Sequence, residues 1–191
     1  SKKISETQLN LNLDPYPVYH GVGWSYRYIE KVIWYYNLKF KMDIKILRTA
    51  SIYGPYDNFN LEKSHVVPSL IKKTLDKNKI INVWGSKKTV RDFVFIDDLV
   101  QASLKFIQKS KINFPLNFSS GESTTIFNLT KIILKVANKN KKIKFIQSGK
   151  SSANFRVLDN SKINKILKNI NRTKLETGLK VTIDWYEKNY K

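Results

Sequence analysis

The chain has 191 residues, of which 41% are hydrophobic and 13% aromatic, enough to bury the core of one domain or slightly more. It contains no cysteine, which excludes a disulfide framework and a thiolate metal site, and we expect no metal at the functional site. No apolar run approaches the roughly 18 residues that cross a bilayer, and the basic N-terminus lacks the apolar segment of a signal peptide. We therefore expect a cytoplasmic protein without membrane contact.

The formal net charge of +20 raises nucleic-acid binding as a hypothesis, because a basic surface neutralises phosphates and releases counterions. The lysines are spread along the whole chain, however, and their densest runs, at residues 139–142 and 162–174, fall between or on predicted helices. No helix-turn-helix, zinc-ligand spacing or aromatic RNA-binding signature accompanies them. A biased lysine and asparagine content explains the charge better. We expect no nucleic-acid partner, although the charge favours an anionic substrate.

Helix and strand patterns alternate from the N-terminus. Apolar residues at helical spacing predict a helix over residues 23–39, and MDIKIL at residues 42–47 predicts a short strand after it. Ser64 is the expected N-cap of the next helix, which has apolar residues on one face. Strands are predicted at residues 80–84 and 92–96. This order is typical of an α/β protein.

The second half of the chain continues the alternation. Asp97 or Asp98 is expected to cap a helix that extends to residue 109, and a Gly-Glu-Ser-Thr turn at Gly121 precedes another helix. The remaining predicted elements are a strand at 115–118, the helix at 126–137, a strand at 143–146, an extended segment at 155–158, and helices near 161–168 and 174–190. No repeat or long linker interrupts the pattern, so the fold class is α/β.

Three sequence blocks in fixed order carry the functional signal. They read RTASIYGPYDNF from Arg48, SHVVPSLIKK from Ser64 and VWGSKKTVRDFVFIDD from Val83. Each joins a strand or helix start to polar groups suited to a pyridine cofactor, a sugar ring and a diphosphate. The first block ends a strand at the edge where open α/β sheets place their ligands. A strand followed by a Tyr-Gly-Pro turn is common, so the order of the blocks matters more than any one match.

His65, Lys73 and Arg91 are the candidates for chemistry within these blocks. A histidine titrates near neutral pH and can give a proton to a carbanion beside a sugar ketone. A diphosphate needs cationic donors, which arginine offers as a planar fork and lysine as a point charge. The alternative for His65 is a histidine satisfied in the first turn of a helix. The alternative for Lys73 is a solvated lysine in a basic chain.

The three blocks resemble the substrate half of the extended short-chain dehydrogenases/reductases, the NAD-dependent nucleotide-sugar epimerase/dehydratase family, and within it the GDP-L-fucose synthase group. The resemblance covers nearly all of the chain and is specific over residues 48–98. It implies the C-terminal portion of a Rossmann-type parallel sheet plus a smaller α/β sugar-nucleotide-binding domain. Residues 1–55 would be the remainder of the dinucleotide-binding domain. Residues 56–191 would be mainly the substrate domain, with about 92–119 returning to the Rossmann sheet.

Members of this family carry a glycine-rich loop that the present sequence does not show. Its seven glycines never form G-x-G-x-x-G, the turn that brings a pyrophosphate to a helix N-terminus. We therefore expect the N-terminal glycine-rich half to be missing, as in a fragment or a split chain.

The resemblance also implies roles for individual residues. NAD or NADP would be the cofactor, and the residues matching the stretch at its nicotinamide end are Thr49, Ala50, Ser51 and Ile52, with Ser51 where an asparagine is usual. His65 matches the histidine that acts as the acid in epimerisation, and it is also expected to border the cofactor. Lys73, Trp84 and Arg91 match residues that bind the nucleotide-sugar substrate. Arg91 corresponds to the arginine that meets the phosphates.

The first predicted helix departs from the family pattern. Members use Tyr-x-x-x-Lys, because residues i and i+4 share one helical face and the ammonium group lowers the pKa of the phenol. Counted back without gaps from the Tyr-Gly-Pro turn, Val22 occupies the tyrosine position and Tyr26 the lysine position. In a shifted frame Tyr19 becomes the phenol, and Gly23 then replaces the lysine.

Three functions are compatible with these residues. The first is an NAD(P)-dependent nucleotide-sugar epimerase, reductase or dehydratase that uses a variant phenol from Tyr19 or Tyr26. The second is a sugar-nucleotide-binding relative without hydride chemistry, and the third is a basic nucleic-acid-binding protein. The full-length protein is expected to be a homodimer through the helix that carries Trp24 and Tyr28, unless these aromatics only pack on the sheet.

Overall fold

A computed structural model describes residues 2–109, 112, 114–146 and 153–190. The helices of this part of the chain are α1 (His20–Phe40), α2 (Val66–Leu75), α3 (Ile96–Ile107), α4 (Ile126–Val136), α5 (Ser161–Ile166) and α6 (Leu175–Tyr190), with 3-10 helices at Glu6–Gln8 and Pro17–Tyr19. The strands are β1 (Leu47–Thr49), β2 (Ser51–Tyr53), β3 (Ile80–Trp84), β4 (Val90–Arg91), β5 (Phe93–Phe95), β6 (Leu116–Phe118), β7 (Thr124–Thr125), β8 (Lys142–Ile146) and β9 (Phe155–Arg156). Among the described residues, no helix combines the length and the apolar character needed to span a membrane.

The strands pair mainly in parallel, with helices between them. β1 pairs with β6, β2 with β5 and β3 with β8, each pair parallel. A three-stranded sheet has the order β7-β4-β9, in which β4 is antiparallel to β7 and parallel to β9. Parallel strands need crossover connections, which helices supply here. The predicted α/β class is confirmed.

β5 lies between two apolar clusters. Phe93 and Phe95 belong to the larger cluster, which also contains Ile71 of α2. Val94 belongs to the second cluster, with Phe118 of β6. Successive side chains of a strand point to opposite faces, so a strand buried on both sides is apolar throughout. The division of the chain into two domains stays a prediction.

The first predicted strand is displaced in the structure. Residues 42–46 are irregular, and β1 begins only at Leu47. The amide of Asn37 in α1 donates to the Ile44 carbonyl and accepts from the Ile44 N–H, both at 3.1 Å. Because a side chain satisfies both backbone groups of Ile44, this residue does not need a strand neighbour.

The predicted caps of α2 and α3 are both wrong. The N-cap of α2 is His65 rather than Ser64, whose hydroxyl is buried without a hydrogen-bond partner. The N-cap of α3 is Phe95, and α3 ends at Ile107 rather than at residue 109. Asp98 lies inside the first turn, where its carboxylate accepts from the Thr173 N–H at 2.6 Å and from its hydroxyl at 2.9 Å. Asp98 therefore ties α3 to the segment before α6.

One ion pair joins α1 to β1. Glu30 is the buried residue of α1, and its two carboxylate oxygens accept from Arg48 at 2.8 and 2.5 Å. Arg48 also donates to the backbone carbonyl of Glu6 at 3.0 Å. This bidentate geometry is the strong form of an arginine–carboxylate pair. It fixes the middle of α1 relative to β1.

Candidate anion-binding site

Two arginines lie side by side on neighbouring strands. Arg91 of β4 and Arg156 of β9 are register partners in a parallel pair, so both side chains leave the same face of the sheet. Arg91 is only 7% exposed, and Arg156 is half-buried. A pair of partly buried guanidinium groups is a receptor for an anion with several oxygens.

Tyr19 and Ser51 complete this arginine site. The guanidinium of Arg156 lies 5.7 Å from the centre of the Tyr19 ring, and one of its N–H groups donates to the Ser51 hydroxyl at 3.4 Å. The side chain of Arg91 donates a hydrogen bond to Tyr19. Tyr19 is the N-cap residue of α1, and Ser51 begins β2. The structure thus brings together three residues predicted from separate parts of the sequence, Tyr19, Ser51 and Arg91.

The electrostatics of the arginine site favour an anion. Burial lowers the pKa of Arg91, the positive charge of Arg156 lowers it further, and the interaction with Tyr19 acts in the opposite direction. An arginine nevertheless stays protonated at neutral pH. Two like charges in a poorly solvated place repel each other, and an anion between them removes that repulsion.

Asp92 holds the loop beside the arginine site. Its carboxylate is 1% exposed and accepts from the Ser120 N–H at 3.0 Å, the Ser120 hydroxyl at 2.6 Å and the Gly121 N–H at 3.3 Å. Gly121 has φ of +80°, a backbone conformation that favours glycine. The aspartate of the VRDF motif is therefore a structural residue that links the end of β4 to the loop after β6.

His65 lies at the start of α2 with its side chain exposed. Asp57 is close enough for electrostatic interaction: burial raises the pKa of Asp57, whereas its neighbour Asn58 and the charge of His65 lower it. An exposed imidazole at a helix N-terminus can exchange protons with a ligand or with water.

Lys73 and Trp84 have different surroundings. Lys73 donates to the carbonyl of Asn82 in β3 at 3.0 Å, and burial lowers its pKa while the charge of Asp76 raises it. This contact attaches α2 to β3, which favours a structural role for the lysine. Trp84 ends β3 and is 66% exposed, so its indole ring is available for packing against a ligand.

The predicted cofactor stretch runs from β1 into β2. The Thr49 hydroxyl donates to the Ala50 carbonyl at 3.2 Å, and the Ser51 N–H donates to the Asp92 carbonyl at 3.0 Å. Ile52 is 39% exposed. Ile52 is the middle residue of β2, so an exposed apolar side chain lies on a parallel strand there.

The two helix positions that replace the expected phenol and lysine are both exposed. Val22 is 51% and Tyr26 66% exposed on α1. Tyr26 therefore has room to contact a ligand or another chain, and it is not part of the arginine site formed by Tyr19, Ser51, Arg91 and Arg156.

Arg156 is the residue of the arginine site to which the sequence assigned no role. The sequence predicts only that it lies in an extended segment at residues 155–158. Its partner Arg91 lies 65 positions earlier in the chain, and only the pairing of β4 with β9 makes them neighbours. Such a long-range register leaves no local signal in the sequence.

Residues 8–118, more than half of the chain, match the NAD dependent epimerase/dehydratase family. The chain belongs to this family. It is 30% identical over 149 residues to a dTDP-4-dehydro-6-deoxy-D-allose reductase of a Streptomyces species, an alignment of 78% of the chain with 44% of that protein. It is 28% identical to a probable GDP-L-fucose synthase of Drosophila melanogaster, over 100% of the chain and 63% of that protein.

A solved structure has the same fold as this chain. The GDP-L-fucose synthetase from Naegleria fowleri bound to NADP superimposes with a TM-score of 0.84 at 22% identity, covering 92% of the chain and 56% of that protein. This likeness confirms the Rossmann-type α/β architecture. The chain spans less than two thirds of the length of each of these three relatives.

Proposed function

We propose that this chain forms the substrate-binding part of an NAD(P)-dependent nucleotide-sugar epimerase or reductase, and that Arg91 and Arg156 bind the diphosphate of the substrate. The observation that carries the proposal is the arginine site, in which two partly buried guanidinium groups lie on paired strands beside Tyr19 and Ser51. A diphosphate has two charged centres, and each guanidinium offers a planar fork to one of them. The GDP-L-fucose synthases among its relatives make a GDP-sugar the preferred candidate.

Within this proposal, His65 supplies the acid. Its exposed imidazole would protonate the carbanion that is left when a base removes the proton next to the sugar ketone during epimerisation. Thr49, Ala50, Ser51 and Ile52 would border the nicotinamide end of the cofactor. NAD or NADP, when bound, supplies hydride transfer to the sugar ring. Trp84 would pack on the substrate through its exposed ring.

A second candidate is a relative that binds nucleotide sugars without hydride chemistry. The observation that favours it is the pair of substitutions on α1, where Val22 and Tyr26 occupy the positions of the family's tyrosine and lysine. Both side chains are largely exposed, and neither supplies an ammonium group beside a phenol. The two candidates share the arginine site and differ only in turnover.

Binding is tested by isothermal titration calorimetry of the chain with GDP-mannose. We expect Arg91→Ala to weaken binding by about tenfold to a hundredfold, since a charge-assisted contact to phosphate is worth about 1.5–3 kcal/mol. Lys88→Ala is the matched control, because it removes an exposed positive charge three positions earlier. An affinity that falls equally in both variants would indicate non-specific attraction, and salt-steep binding to DNA instead would favour the nucleic-acid alternative.

Turnover is tested by deuterium exchange from solvent into a GDP-4-keto-6-deoxy sugar in the presence of NADPH. The enzyme predicts exchange next to the ketone that His65→Asn abolishes while GDP-mannose affinity is retained. No exchange with wild-type protein that binds the sugar nucleotide would favour the non-catalytic relative. Exchange that His65→Asn leaves unchanged would remove His65 from the mechanism.

A homodimer through α1 belongs to the same proposal. Tyr28 is 69% exposed and Leu38 is 82% exposed on this helix, an apolar surface that a second copy of the protein would cover. Sedimentation equilibrium should show a dimer that Tyr28→Lys weakens. A wild-type monomer at all accessible concentrations would contradict this part of the proposal.

A further inference from the structure

We infer that Tyr19 is a positioning residue that holds Arg91 and Arg156 in two different directions, so that the arginine site selects a diphosphate over a single phosphate. The inference rests on the proposed function of the arginine site and assigns Tyr19 a role other than that of a catalytic phenol. One side chain contacts both arginines: the face of its ring meets Arg156, and its hydroxyl accepts from Arg91.

The position of the Tyr19 backbone does not depend on the arginines. Tyr19 ends the 3-10 helix that begins at Pro17 and caps α1, and its N–H donates to the Tyr16 carbonyl at 2.8 Å. The rings of Tyr16 and Tyr19 are 6.3 Å apart. Proline at the first position of this turn restricts its backbone. The backbone of Tyr19 is therefore restrained, and its half-buried phenol lies against the two arginines.

Tyr19 contacts one arginine through its ring face and the other through its hydroxyl group, so the two guanidinium groups are held at different places. A ring face attracts a cation through its quadrupole, whereas the hydroxyl oxygen accepts a directed hydrogen bond in the plane of the ring. A guanidinium over the face and another at the hydroxyl edge cannot collapse onto one position. Two phosphates joined by one bridging oxygen can engage both groups, while one phosphate satisfies only part of the site.

Tyr19 also lacks the lysine neighbour that a catalytic phenol of this family has. Position i+4 on α1 is Gly23, whose added Cβ would come within 2.4 Å of Pro15. A lysine at that position would therefore displace Pro15, so the ammonium partner of a Tyr-x-x-x-Lys pair does not fit there. The hydroxyl of Tyr19 is instead engaged by Arg91.

The test compares inorganic pyrophosphate with inorganic phosphate as ligands of the chain, measured by isothermal titration calorimetry at one ionic strength. We expect Tyr19→Phe to weaken pyrophosphate binding by about fivefold, because it removes a hydrogen bond to Arg91 and keeps the ring under Arg156. Tyr19→Leu also loses the ring contact and should weaken binding by a further factor of about three. Phosphate binding should change less in both variants, so the ratio of the two affinities falls.

Two controls separate positioning from a general loss of structure. Tyr190→Phe removes a hydroxyl from a 56% exposed tyrosine at the end of α6, outside the arginine site and the proposed dimer surface, and should change neither affinity. The effect of Tyr19→Phe should also shrink in an Arg91→Lys background, because the hydrogen bond that it removes is then already altered. If Tyr19→Leu fails to fold, Tyr19→Phe and the double-mutant comparison still test whether Tyr19 positions Arg91.

The outcomes distinguish the inference from the proposed function. If Arg91→Ala loses pyrophosphate binding but Tyr19→Phe keeps both the affinity and the selectivity of the wild type, the role of Tyr19 is overturned and the arginine site stands. A loss of affinity in Tyr19→Phe that is equal for the two anions also overturns it. If the wild-type chain binds no pyrophosphate, or Arg91→Ala binds it as well as the wild type does, the arginine site itself is refuted and the inference with it.

Discussion

Asp92→Ala should destabilise the fold through the loop that Asp92 holds. The substitution removes the acceptor of three hydrogen bonds, from the Ser120 N–H, the Ser120 hydroxyl and the Gly121 N–H. Each buried donor left without a partner costs about 1–3 kcal/mol. Ser120 and Gly121 are half-buried, so water reaches them in part and the lower end of that range applies. The Gly121 N–H keeps a second acceptor, the Ser119 hydroxyl, at 3.2 Å. The expected loss is therefore about 2 kcal/mol, from the two Ser120 donors.

Urea unfolding followed by circular dichroism measures this loss. With a slope of about 2 kcal/mol per M for a domain of this size, the midpoint should fall by about 1 M in Asp92→Ala. Asp97→Ala is the matched control, since Asp97 is an exposed acidic residue in the first turn of α3, and its midpoint should fall by less than about 0.5 M. Equal shifts in the two variants would refute the assignment of Asp92 as the residue that fixes the loop.

Three further predictions concern the ion pairs of the fold. Glu30→Gln should lower the free energy of unfolding by about 2 kcal/mol, because it leaves the half-buried Arg48 without a charged partner. An unchanged urea midpoint would contradict this. Lys141→Met should cost about 1–2 kcal/mol, since Lys141 donates to the last carbonyls of α2 and to the Asp76 carboxylate, whereas the exposed Lys139→Met should be neutral. Burial raises the pKa of Asp76, but hydrogen bonds from Lys141 and Asn78 hold it below the ordinary value of 3.8. The ionised carboxylate therefore stabilises the fold above pH 3.8, and this stabilisation is lost as the pH falls through the lower pKa of the folded state. The cost of Lys141→Met should be smaller at about pH 3 than at about pH 6, and a larger cost at about pH 3 would contradict this pH dependence.

The alternation of helix and strand was predictable because local patterns determine it. The apolar spacing of α1 and α4, the alternating strand β3 and the buried strand β5 follow from the sequence without tertiary information. The strand expected at residues 42–47 was misplaced for a tertiary reason. Asn37 satisfies the backbone of Ile44 from another element, and no pattern within residues 42–47 reveals that contact.

The helix caps failed for a similar reason. Asp98 has the residue type and position of a cap, yet its carboxylate binds Thr173, which lies 75 positions later. Capping preferences are local, whereas a buried carboxylate takes whichever donors the fold brings to it. Asp92 and Asp98 therefore stabilise the fold, although they lie in the sequence block that resembles a substrate-binding motif.

The arginine site could be predicted only in part. Arg91 and Ser51 were identified through the resemblance of their motifs to the family, and Tyr19 through a shifted reading of the helix. Arg156 could not be assigned a role, because its place beside Arg91 depends on the pairing of β4 with β9. The roles of His65, Lys73 and Trp84 stay predictions until a ligand is bound.

The central claim is that the arginine site binds a diphosphate, and a crystal structure of the chain with GDP tests it most directly. The account predicts diphosphate oxygens within about 3.2 Å of the guanidinium nitrogens of both Arg91 and Arg156, with Tyr19 still in contact with both arginines. A diphosphate bound elsewhere on the chain, or held by only one of the two arginines, would contradict it.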